Sequence, residues 1–214
     1  MSSDTDLSGG FALLDAEEQA RAQRFRFPEH RRRFIVAHAA VRCILARHLD
    51  IGPAAIGFSR NAHGKPFLTG ADVPVFSMSH SHEMALCAVA VDGELGVDIE
   101  HCRSLQHDDL ARRFFAADEV AALAALPADR QADGFFACWS RKEAYIKAKG
   151  LGLSLPLDAF AVSIDANTAL RYSRHAPDDT ACCRLWDVPV ASGYRAALAY
   201  CGNAYAEFVC RDWA

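Results

Sequence analysis

In the stretch WSRKEAYIKAKG, residues 139–150, Glu143 and Lys147 stand four apart. On a helix that spacing puts a carboxylate and an ammonium side by side on one face. Alone, such a pair is an ordinary surface contact worth a few tenths of a kcal/mol. The stretch GVDIE, residues 96–100, adds two more carboxylates. In a strand, Val97 and Ile99 share one face while Asp98 and Glu100 share the other. Neighbouring carboxylates repel, so a positive charge is expected over them. If Asp98, Glu100 and Glu143 converge, an oxygen-only ligand set selects a hard cation. Few protein ligands suit Mg²⁺, whose shell is completed by water and phosphate. Neither motif holds a His or Cys that would point to zinc. Lys147 would then serve as a point charge on a phosphate oxygen that gains charge during reaction. The chemistry this implies is at a phosphate or pyrophosphate.

Two further stretches fit that chemistry. GKP, residues 64–66, sets Lys65 in a tight turn, its ammonium expected to stand out from the backbone; a plain solvated turn residue is the alternative. SMSHS, residues 77–81, brings Ser79 and His80, donors suited to phosphate oxygens, or simply the end of a strand. A serine nucleophile is not expected here: adjacent strand residues point apart, and no G-x-S-x-G elbow is present.

The elements that must carry these residues follow from pattern. Asp15 and Glu18 form a capping box opening a helix, and Pro28 opens a longer one with Phe34, Val41, Ile44 and Leu45 at helical spacing. Strands are expected over 73–79, 83–91 and 94–100, with Asp92-Gly93 joining the last two as a type I′ hairpin. Helices return over 110–115, 117–126 and about 129–149, the last ended by Gly150. Strand patterns close the chain over 159–164, 183–190, 194–202 and 204–210. Helices then strands, twice over, predict an α+β fold with antiparallel sheets and long helices. Two similar subdomains are expected, 1–101 and 102–214.

The 214 residues are 51% hydrophobic and 23% charged, enough for a sizeable core, and the net charge of −4 gives no bulk attraction to nucleic acid. No apolar run approaches the roughly 20 residues that span a bilayer. The opening MSSDTDLSGG lacks the pattern of a signal peptide, and the eight cysteines show no CxxC pair. Buried reduced thiols and a cytoplasmic location are the expectation.

GKPFL, FSMSHS, GVDIE and WSRKEAYIKAKGLGLSLPL together, in this order and spacing, resemble the 4′-phosphopantetheinyl transferases of the surfactin-synthetase-activating, double-size type. The resemblance covers nearly the whole chain. It implies two similar α+β halves in pseudo-twofold arrangement, with coenzyme A between them as donor substrate. It implies transfer of the phosphopantetheine arm to a serine of an apo acyl or peptidyl carrier protein, releasing adenosine 3′,5′-bisphosphate. Asp98, Glu100 and Glu143 match the Mg²⁺ ligands and Lys147 the lysine that steadies the phosphates. Lys65, Ser79 and His80 match coenzyme A contacts, and Arg21 and Arg33 are the nearest counterparts of residues reaching its 3′-phosphate and adenine. Glu143 is the natural base for the carrier serine, through a free oxygen or a bound water. Carrier proteins of this kind are acidic around their serine, so a basic face such as LARRFF, with Arg112 and Arg113, is a candidate docking surface; two solvated arginines and core phenylalanines are the alternative. Fused halves make a monomer the expected state. A Mg²⁺-dependent pyrophosphatase using the same carboxylates, and a non-catalytic coenzyme A binder, are the competing readings.

Overall fold

The computed structural model describes residues 4–70, 72–104, 107–165, 167–202 and 206–213, save the side chains of residues 4–6 and 153. The chain forms two compact units, one of Met1–Ser59, Leu68–Pro74 and Trp213–Ala214, the other of Arg60–Phe67 and Val75–Asp212.

The first unit is built on three helices, α1 (Asp4–Leu13), α2 (Ala16–Gln23) and α3 (Pro28–Leu49). Asp15 caps α2 as expected: its Oδ1 accepts the Glu18 N–H at 2.9 Å and Glu18 Oε2 accepts the Asp15 N–H at 3.2 Å. Glu18 does more than cap. Its Oε2 also accepts from Arg42 Nε at 2.7 Å, its Oε1 lies 2.7 Å from His38 Nδ1, and Arg42 Nη2 donates to Asp15 at 2.6 Å. Arg42 is fully buried on α3 and is tolerated there because its donors are matched, one of them by the Ile56 carbonyl. Burial alone would raise the Glu18 carboxyl, but the bonds from His38 and Arg42 hold it below its ordinary value.

The chain passes between the units at two short strands, β1 (Phe58–Arg60) and β2 (Pro66–Leu68). The second unit then lays down β3 (Val75–Ser81), β4 (Met84–Ala90) and β5 (Glu94–His101). Helices α4 (His107–Phe114), α5 (Ala117–Ala124) and α6 (Ala128–Lys149) follow. The chain continues through β6 (Phe160–Val162), β7 (Leu170–Ser173), α7 (Asp179–Cys182), β8 (Cys183–Asp187) and β9 (Tyr194–Cys201). The described pairings of the second unit, β3 with β4, β6 with β7, and β5-β9-β8, are all antiparallel, so the α+β reading with antiparallel sheets stands. The bounds of the two units differ from the expected halves 1–101 and 102–214: β5, expected in the first half, lies in the second unit and pairs there with β9, Val97 opposite Leu198.

Three expectations are corrected. Asp92-Gly93 does not close a hairpin ladder, because β4 pairs with β3 while β5 pairs with β9, and only Gly93 of the two has a positive φ, +79°. The β3–β4 hairpin instead lays one face on β5: Met84, Leu86 and Ala88 pack against the Leu95, Val97 and Ile99 side, and serines meet the strand's backbone. Residues 206–210 form no strand, and 204–205 lie outside the described residues. Cys183 and Cys201, opposed across β8 and β9, are joined as a disulfide; the other six cysteines are free thiols, of which Cys138 is buried and Cys210 exposed. No helix among the described residues is long and apolar enough to cross a membrane.

Helix α6 is the spine of this unit. It runs as expected to Gly150, whose φ of +66° forms the left-handed cap and whose N–H bonds the Ile146 carbonyl. Phe135, Cys138, Ala144, Tyr145 and Ala148 face a core shared with β6, β8 and β9. The motif's basic residues are anchors. Arg141 is buried, its Nε and Nη2 on Asp187 at 2.8 and 2.6 Å and its Nη1 on the Ser163 and Asp165 carbonyls. Lys142, fully buried, donates to both oxygens of equally buried Glu119 at 2.8 and 2.6 Å and to the Phe160 carbonyl at 2.7 Å. What remains exposed to chemistry on this stretch is the stripe of Glu143 and Lys147.

Candidate active site

Gly96 brings the two motifs together. A Cβ at that position would lie 2.0 Å from the Ala144 carbonyl oxygen and 2.3 Å from the Ala148 nitrogen, so only glycine lets α6 lie directly on β5. The contact sets Lys147 above Asp98. Lys147 Nζ donates to Asp98 Oδ1 at 2.7 Å and to Ser79 Oγ at 2.8 Å, and Ser79 Oγ donates to the same Asp98 oxygen at 2.9 Å. The positive charge expected over the acidic strand is therefore Lys147.

β3 reaches this point through alternate serines. Ser77 Oγ accepts the Val97 N–H at 3.0 Å, Ser81 Oγ accepts the His101 N–H at 3.0 Å, and Ser79 between them meets the Asp98 side chain. Hydroxyls thus take the place of backbone carbonyls along the edge of β5 turned away from β9. Ser81 Oγ also lies 3.4 Å from Glu100 Oε2.

Asp98 is 4% exposed, and among the described residues its Oδ2 is the one buried side-chain oxygen with no hydrogen-bond partner. An orphaned buried carboxylate oxygen costs about 1–3 kcal/mol or more. Around it lie two acids whose carboxyl pKa values are raised. Burial, then the charge of Asp98, push the Glu100 carboxyl above its ordinary range, with Glu143 adding to the push and Lys147 opposing it. Burial and then Asp98 raise Glu143 in the same way, again against Lys147. Three carboxylates facing one ammonium, with one oxygen orphaned, fit a hard divalent cation. Among the described residues, the group whose ligand atoms all lie within 4.8 Å of one another is instead Asp179, Cys183 and Cys201, where the two sulfurs are bonded together; the oxygens of Asp98, Glu100 and Glu143 are spread more widely than that.

The remaining expected residues are placed differently. Lys65 does not stand out from the backbone: its Nζ donates to the Leu95 carbonyl at 3.0 Å and the Ala148 carbonyl at 3.1 Å. Burial lowers its pKa, with Glu94 opposing. It lines a cavity of about 310 Å³ together with Phe76, Met78, Glu143, Ile146 and Lys147. His80 is exposed and alternates away from Ser79 along β3. Arg21 and Arg33 belong to the first unit, Arg21 with its guanidinium 5.2 Å from the Phe34 ring centre and Arg33 half-buried on α3. Their role at a 3′-phosphate stays an expectation of the resemblance. On α4, Arg112 and Arg113 are exposed, Phe114 packs on Trp139, and Phe115 is buried. A larger cavity of about 580 Å³ lies along the opposite stripe of α6, where Arg141 pairs with Asp187 and Arg195 with Asp133.

Sequence reasoning missed Gly96, Ser77 and Ser81. A glycine inside a strand pattern, and serines at every second position of another, were the available signals. It also missed Asp179, a buried acid that accepts from Tyr145 and from Lys149, on either side of Lys147. Nothing around Asp179 in the sequence marks it.

Comparison with known proteins identifies the family. Residues 94–199 match the 4′-phosphopantetheinyl transferase superfamily, and residues 1–94 match the N-terminal region of 4′-phosphopantetheinyl transferases. The chain is 32% identical over 188 residues to the 4′-phosphopantetheinyl transferase Sfp of Bacillus subtilis, covering 87% of this chain and 82% of that one. It is 34% identical over 199 residues to the transferase psf-1 of Bacillus pumilus, covering 92% and 83%. With the transferase HetI of Nostoc sp. the identity is 40% over 147 residues, 67% of this chain and 62% of that protein's length. The family matches and the relatives agree: the chain belongs to the 4′-phosphopantetheinyl transferase superfamily.

Proposed function

We propose that the protein transfers the 4′-phosphopantetheine arm of coenzyme A to a serine of an apo carrier protein, with Mg²⁺ held by Asp98, Glu100 and Glu143. The observation that carries this reading is Asp98, buried, with Oδ1 held by Ser79 and Lys147 and Oδ2 left open, beside the raised carboxyls of Glu100 and Glu143. A cation held there would neutralise the donor pyrophosphate. Lys147 is assigned to follow charge onto the leaving phosphate. Glu143, its carboxyl raised by burial and by Asp98, is a stronger base than an ordinary glutamate. It takes the proton as the serine oxygen bonds the β-phosphorus and the bond to adenosine 3′,5′-bisphosphate breaks. Ser79 holds the Asp98–Lys147 pair in register, and His80 is assigned to a donor phosphate.

The exposed arginines of α4, Arg112 and Arg113, are the proposed face for an acidic carrier. The proposal includes two halves in pseudo-twofold relation, supported by the antiparallel pairing of β5 with β9, a monomeric state, and action in the cytoplasm.

Incubation with coenzyme A, Mg²⁺ and an apo carrier protein tests the reading. Mass spectrometry is expected to show one phosphopantetheine added to the carrier serine. Coenzyme A cleaved with no carrier adduct would make the protein a pyrophosphatase instead, and binding with neither outcome would make it a binding module.

A further inference from the structure

The side chain of Lys65 makes its two bonds to protein, and the two carbonyls it chooses are informative. Leu95 immediately precedes Gly96 on β5, and Ala148 immediately follows Lys147 on α6. These positions flank the closest approach of strand and helix, where the Gly96 Cβ would collide with Ala144 and Ala148 backbone. Each carbonyl lacks a partner in its own element. Ala148 is in the last turn of α6, whose carbonyls have no intrahelical donor and whose helix end is electronegative. The Leu95 carbonyl lies on the same edge of β5 as the Val97 N–H, which bonds Ser77 and not β9. One ammonium therefore satisfies two orphaned acceptors on two elements. Its aim is set from behind: Asn61 Oδ1 accepts the Lys65 and His63 N–H groups, and Asn61 Nδ2 donates to the Gly150 carbonyl at 2.7 Å.

We propose that Lys65 is a positioning residue, whose ammonium staples β5 to the last turn of α6 and thereby sets Lys147 over Asp98 and Ser79. This rests on the transferase reading for its kinetic consequence but not for its structural one. The desolvation of the Lys65 ammonium accords with a group spent on internal carbonyls.

The test uses Lys65→Met in the full-length protein. Removing the staple is expected to lower kcat for carrier modification at least tenfold, while KM for coenzyme A stays within twofold, because a misplacement of about 1 Å costs about 10²-fold in rate. In a Lys147→Ala background, Lys65→Met is expected to have no further effect on kcat, since the group it positions is gone. Without any substrate, amide hydrogen exchange in residues 145–150 is expected to quicken at least tenfold. Asn61→Ala, which loosens the turn while keeping the ammonium, is expected to show the same kinetic pattern more weakly, and serves if Lys65→Met does not fold. A tenfold rise in KM with kcat intact would make Lys65 a direct coenzyme A contact and overturn the proposal. Multiplicative losses with Lys147→Ala, or unchanged exchange, would overturn it as well. Failure of the unaltered protein to modify any carrier would sink the transferase reading alone, leaving the exchange result to judge the staple.

Discussion

Adding one methyl group at Gly96 tests the closeness of helix and strand. A Cβ there meets backbone atoms of α6 at 2.0, 2.3 and 2.9 Å, whereas real Cβ contacts essentially never fall below 3.0 Å. Backbone cannot rotate aside, so α6 must retreat from β5 by about 1 Å. The two bonds that define the site, Lys147 to Asp98 at 2.7 Å and Lys147 to Ser79 at 2.8 Å, would then lie near 3.7 Å, about half an ångström beyond hydrogen-bond range. A misplacement of this size costs about 10²-fold in rate, equivalent to about 2.7 kcal/mol of barrier. Overpacking costs about 1–3 kcal/mol of stability, which for a chain of this size lowers Tm by roughly 4–8 °C at the middle of that range. Gly96→Ala is measured by initial rates of carrier modification at saturating coenzyme A and by thermal melting. Gly134→Ala, also on α6, is the control. There the added Cβ meets flexible side-chain ends, Leu126 Cδ1 at 2.5 Å and Leu123 Cδ1 at 3.3 Å, and the helix gains propensity. It is expected to retain the rate. Wild-type kcat in Gly96→Ala, or an equal loss in Gly134→Ala, would refute the argument that backbone proximity at Gly96 positions Lys147.

Three further outcomes follow from the charges. Glu100 and Glu143 have raised carboxyl pKa values, so with a chelator present the folded protein holds protons the unfolded chain has released, and stability falls as pH rises from about 4.5 through the raised values. Glu143→Gln is therefore expected to melt higher than the unaltered protein at pH 7 without metal, yet to lose both activity and most of the Tm gain on adding Mg²⁺; a lower metal-free Tm would contradict this. Glu18 shows the opposite sign. Its lowered pKa stabilises the fold above about pH 4.5 and that contribution is lost as pH falls through the folded value, so Glu18→Gln should flatten the acid limb of the denaturation profile. Lys142→Met leaves Glu119 charged and buried; breaking such a pair costs about 3–5 kcal/mol, a Tm loss on the order of 10 °C, whereas a shift of under 2 °C would show the pair to be dispensable.

Much of the frame was legible because it rests on local signals. The span of α6 and its end at Gly150, the Asp15–Glu18 cap, and the core-facing Val97 and Ile99 follow from period and capping chemistry. The convergence of Asp98 with Lys147 was legible as a need for countercharge. Alternation could not say what covers the acidic face of β5, so the burial of Asp98, 4% exposed, was not legible. The burial of Arg141 and Lys142 was not legible, because a helix pattern does not reveal acceptors brought in from Asp187 and Glu119. Asp92-Gly93 carried the chemistry of a hairpin, but tertiary pairing with β9 claimed the ladder of β5. Lys65 was misread in direction for the same reason: its acceptors lie 30 and 83 residues away.

The serine seam along β5 has a dynamic consequence. Val97 and His101 give their amide protons to the Ser77 and Ser81 hydroxyls, while the intervening Asp98 and Glu100 face β9 in a backbone ladder. Adjacent amides on one strand therefore sit behind two different gates. One opens when the β3–β4 hairpin lifts, the other when the sheet itself comes apart. Because Ser79 belongs to the first gate and also holds Asp98, a lifting hairpin would carry away part of the reactive centre while leaving the strand that bears the carboxylates in its sheet. β5 then works as a two-channel recorder, its odd amides timing the integrity of the site and its even amides timing the integrity of the fold.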